Sequence, residues 1–77
     1  MNKSSEEIFL KELHKLVVDS QFKTENMYDI GTSIGLNKNE TFNLVLILKD
    51  AGFLKINDHS GGIRITSLGI LNARKLQ

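Results

Sequence analysis

Apolar residues recur at helical spacing near the start of the chain. Phe9, Leu10, Leu13, Leu16 and Val17 share one face, with Glu12, His14 and Lys15 off it, as a 3.6-residue period requires. Ser4 and Glu7 stand three apart ahead of this stripe. That is the spacing of a capping box, in which two side chains satisfy exposed amides at a helix start. The pattern predicts an amphipathic helix from about residue 4 to about residue 20, with Ile8 and Val18 off its main stripe. Next, Gln21, Phe22 and Lys23 form a stretch short enough to pair briefly as a strand. Thr24 is placed to cap a second helix that carries Met27, Ile30 and Ile34 through residue 34. Gly31 lies inside that helix, where glycine costs about 1 kcal/mol relative to alanine, so another helix is expected to approach closely there. Gly35 follows the last apolar residue as a left-handed stop.

Asn37 and Glu40 have the spacing of a second capping box and open a third helix over about 37–51, which Gly52 closes. Residues 53–57 and 63–65 alternate apolar and polar around Asp58-His59-Ser60-Gly61-Gly62, the signal of a hairpin across 54–65. Leu54, Ile56, Ile63 and Ile65 fall on one side of it, and Lys55, Asn57 and Arg64 on the other. Thr66 caps a last helix, about 67–76, with Leu68, Leu71 and Leu76 on one side. The expected class is mainly α with a small β-hairpin, as one domain over 1–77.

Composition narrows the function. A chain of 77 residues has room for one small core. It has no cysteine, hence no disulfide and no thiolate metal site, and His14 and His59 are too few and too far apart for a zinc site. No cofactor or metal is expected. No Ser-His-acid set appears, and no carboxylates pair near a histidine at a telling spacing. Gly61-Gly62 is not followed by the Lys-Ser/Thr pair of a phosphate-binding loop. An enzyme is therefore not expected. No apolar run reaches membrane-spanning length, and residues 1–9 turn acidic where a signal peptide turns apolar, so a cytoplasmic location is the default.

Three short stretches carry a resemblance. Ile30-Gly31-Thr32-Ser33-Ile34-Gly35-Leu36, Leu48-Lys49-Asp50-Ala51-Gly52-Phe53-Leu54 and Ile65-Thr66-Ser67-Leu68-Gly69 stand in order and without gaps. They resemble the helix-two-and-turn, the end of the recognition helix and the step after the wing in winged helix-turn-helix domains. The fit covers residues 24–71, in the manner of small archaeal and bacterial transcription-factor domains. The resemblance implies double-stranded DNA as partner, with helix three (37–51) in the major groove and the wing (54–65) on the backbone or minor groove. It places Lys38, Asn39, Asn43, Glu40 and Phe42 at the groove, with Lys38 suited to phosphate or guanine and the asparagines to adenine. On the wing it places Lys55, Asn57, Arg64 and His59. Plain solvation of these polar surfaces is the alternative.

Charge leans the same way. Residues 1–37 carry four basic and six acidic side chains, and residues 38–77 carry six and three, so the basic half holds helix three and the hairpin. Two features depart from the family. Thr41 stands where a branched apolar residue is usual and is expected to be buried. Helix three is also unusually apolar: Leu44, Val45 and Leu48 suit the core, while Phe42, Leu46 and Ile47 do not. That surplus supports the alternative of a protein-interaction module using Phe42, Leu46 and Ile47. Spare apolar positions on the terminal helices, Ile8, Val18, Ile70 and Ala73, suggest a homodimer, because terminal helices often form the dimer contact in resembling proteins.

Overall fold

The computed structural model describes residues 5–18 and 23–75. The order is α1 (Ser5–Leu16), β1 (Glu25–Asn26), α2 (Met27–Ser33), α3 (Lys38–Asp50), β2 (Leu54–Ile56), β3 (Gly62–Ile65) and α4 (Ser67–Lys75). The described chain is thus mainly helical, with a three-stranded antiparallel sheet in the order β1-β3-β2. α1 packs against α2, α3 and α4, and α2 packs on α3. Phe9, Leu10, Leu13, Met27, Val45, Leu54 and Ile63 are fully enclosed between the helices and the sheet.

Three expectations about the first half change. The proposed capping residue Ser4 and the segment 19–22 lie outside the described residues, and residues 17–18 form a turn and not more helix. The buried face of α1 is Phe9, Leu10, Leu13, His14 and Val17, while Leu16 points outward. Packing on three helices at once shifts the buried face toward His14, even though Leu16 is the greasier side chain. Thr24 does not cap α2. Glu25 and Asn26 extend along β3, in register with Ile63 and Gly62, so the helix begins two residues late and Asn26 caps it. The Asn26 Oδ1 accepts from the amides of Tyr28 and Asp29 at 2.8 and 3.3 Å. The hairpin is therefore two strands of a three-stranded sheet.

The helix ends follow local chemistry. Gly35 and Gly52 take φ of 87° and 86°, a region other residues enter at a cost. Each closes its helix with a crossed pair of backbone bonds. Gly35 N–H donates to Thr32 and Leu36 N–H to Gly31; Gly52 N–H donates to Lys49 and Phe53 N–H to Leu48.

α4 presents a different face to the core than its leucines suggest. Gly69 and Ala73 are buried and Ile70 packs against the core, whereas Leu68 and Leu71 are half exposed; Leu76 lies outside the described residues. The cause is close approach. A Cβ on Gly69 would run into the Phe53 carbonyl oxygen, so the glycine must face inward, and it turns both leucines out.

Candidate functional site

The start of α3 is held from both sides. Asn37 Oδ1 accepts from Glu40 N–H at 2.8 Å, and Glu40 Oε1 accepts from Asn37 N–H at 2.9 Å, completing the expected capping box. Behind it, Thr41 is buried against α2 at Gly31, and its hydroxyl lies where a Cβ on Gly31 would sit. That contact, with the Gly35 turn, sets the angle between α2 and α3. Lys38, Asn39 and Asn43 are all exposed on this fixed start, as is Glu40, whose carboxylate is engaged in the cap. Leu44, Val45 and Leu48 face the core with Thr41.

The β2–β3 hairpin places Lys55 opposite Arg64, so the two side chains share one face. Lys55 is exposed and Arg64 half-buried. Asn57 is exposed, but its Nδ2 donates to Thr24 Oγ1 at 2.8 Å, which ties the strand end to the segment before β1. His59 stands exposed in the connecting loop. Asp58 organises that loop, accepting from Gly62 N–H at 2.9 Å, Ser60 N–H at 3.0 Å and Ser60 Oγ at 3.1 Å. The Gly62 amide first, then the Ser60 hydroxyl, lower the Asp58 pKa from its ordinary value. The loop is fastened to the start of α2: Met27 N–H donates to Gly61 at 2.8 Å and Asn26 Nδ2 to Ser60 at 3.2 Å. The sequence gives little sign of this clamp, because Asn26 reads as an ordinary polar residue until β1 is in place.

Phe42 and Ile47 are 43% and 53% exposed, and Leu46 is half-buried. Ile47 turns toward α1, where it lines a groove of about 340 Å³ with Glu6, Leu10, Leu48, Phe53 and Asn72. On the terminal helices Ile8 and Val18 are exposed as expected. Ala73 is not: it is fully buried, and Ile70 packs against the core. Both belong to the interior because the Gly69 face turns inward, and the outer apolar positions of α4 are Leu68 and Leu71. Among the described residues no group of three metal-ligating side chains comes together, and no helix is long and apolar enough to cross a membrane. No protein-family model matches the chain, and neither a curated protein nor a solved structure matches it.

Proposed function

We propose that this chain is a winged helix-turn-helix domain that binds double-stranded DNA as a small cytoplasmic transcriptional regulator. In this reading α3 enters the major groove and the β2–β3 hairpin lies along the backbone or minor groove. The observation that carries it is the start of α3. A complete capping box and a crossed-bond turn hold a helix end whose outward residues are Lys38, Asn39 and Asn43. Those side chains supply a cation for phosphate and two amides for base edges. The Lys55–Arg64 pair adds positive charge on one face of the hairpin. In this reading the domain positions contacts to DNA and has no catalytic role.

Binding to random duplex DNA, followed against salt, tests the reading. Affinity should fall steeply with salt, and Lys38→Ala and Arg64→Ala should each reduce the logarithmic salt slope by roughly one. Salt-independent binding, or no binding, overturns it. The exposure of Phe42 and Ile47 favours a second reading, a protein-interaction module using α3. A homodimer through Ile8, Val18, Leu68 and Leu71 accompanies the DNA reading, because two copies read two half-sites about 34 Å apart.

A further inference from the structure

α3 has an uneven chemical supply on its outward side. With 3.6 residues per turn, Asn39 and Asn43 lie about 40° apart around the axis, and Phe42 lies about 60° from Asn39 on the other side. The three form one wedge facing away from Thr41, Val45 and Leu48. All three are exposed, and neither side-chain amide makes a hydrogen bond among the described residues. Lys38 lies about 100° from Asn39, off the wedge and toward its rim. α3 contains no arginine, the residue whose fork most often grips guanine. Glu40 is occupied by the cap, and Lys49 lies 3.8 Å from Asp50 at the far end of the helix. The wedge therefore offers two free amides and an aromatic ring, with the half-buried Leu46 between them one turn further on and no cation among them.

In the major groove an asparagine amide matches adenine, donating to N7 and accepting from N6, and an apolar side chain matches the thymine methyl. Asn39 and Asn43 are about 6 Å apart along the axis, close to two base-pair steps of about 3.4 Å. We infer that α3 selects A·T base pairs, with Asn39 and Asn43 reading adenine and Phe42 packing on a thymine C5 methyl. This rests on the DNA-binding reading above and gives the exposed ring a ligand. Lys38 then holds phosphate and contributes affinity without sequence preference.

The experiment is a selection from random duplexes, followed by affinity measurements on the selected duplex and on the same duplex with thymine replaced by deoxyuridine. The replacement removes only the methyl group and needs no change to the protein. The selected core should be dominated by A·T pairs, and affinity should fall about fourfold per contacted methyl, the value of one buried methyl-sized group. Phe42→Ala should bind the thymine and uracil duplexes equally. Asn39→Ala and Asn43→Ala should each cut the preference for adenine about tenfold while keeping the salt slope. Salt-dependent binding with a G·C-dominated core overturns the inference and leaves DNA binding standing. So does an unchanged affinity on uracil, or a thymine preference that survives Phe42→Ala. Absence of salt-dependent duplex binding overturns both, and the ring then belongs to a protein partner.

Discussion

Thr41 and Gly31 show how one contact sets the geometry of the helix pair. The Thr41 hydroxyl is buried without a hydrogen-bond partner and fills the space that a side chain on Gly31 would need. Gly31→Ala places a methyl on that oxygen and should destabilise the fold by about 1–3 kcal/mol, the usual cost of overpacking. Adding Thr41→Ala removes the two atoms nearest that methyl and leaves only the residue-41 β-carbon close to it, so the double variant should lose less than the sum of the singles in urea unfolding. Strict additivity would mean the two side chains do not compete for the same space. Asp58 makes a second test at this scale. Its pKa is lowered in the folded loop, so its contribution is fully present above the unfolded pKa and is lost as pH falls through the lower, folded value. Protection of the Ser60 and Gly62 amides, taken relative to their intrinsic exchange rates, should therefore fall only in acid, and Asp58→Ala should remove that protection at neutral pH as well.

Among the elements, α4 is fastened at its start through one residue, Thr66. Thr66 Oγ1 accepts from Gly69 N–H at 3.0 Å and donates to the Gly52 carbonyl at 2.6 Å. Thr66 N–H also donates to the Phe53 carbonyl at 3.1 Å. The side chain thus caps α4 and ties it to the end of α3. Thr66→Ala should cost about 1–2 kcal/mol in thermal or urea unfolding, and Thr66→Ser should recover most of that because it keeps the oxygen. Equal losses for both variants would assign the effect to the methyl group and not to the cap.

For the whole molecule, size is the governing constraint. A chain of this length buries only about 60% of its unfolded surface, so association is a direct route to further stability. The half-exposed Leu68 and Leu71 lie on α4, and Ile8 and Val18 at or just past α1. Sedimentation equilibrium at micromolar concentration should show a dimer of the 8.7 kDa chain, and Leu71→Glu should return it to monomer with its helical signal intact. Ile70→Glu should instead unfold the protein, since Ile70 packs against the core. A wild-type monomer that binds duplex DNA one-to-one would remove the dimer and leave the DNA reading intact.

Local signals determined much of this. The Asn37–Glu40 box, the stops at Gly35 and Gly52, the Thr66 cap and the alternation of Leu54, Ile56, Ile63 and Ile65 were all legible, because each depends on neighbours a few residues away. The close approach at Gly31 was legible too, since a glycine inside a helix needs a reason. Lys38, Asn39 and Asn43 could be placed on an exposed helix start for the same local cause. Tertiary structure decided the rest. β1 exists because β3 offers it an edge, and that pairing moved the cap of α2 from Thr24 to Asn26 and clamped the hairpin loop. The face of α4 was decided by the Phe53 carbonyl against Gly69, a backbone contact with no trace in side-chain hydropathy. The burial of His14 over Leu16 on α1 follows from where three other helices lie. Periodicity orders the residues around one helix axis, but contacts distant in sequence choose which side meets the core.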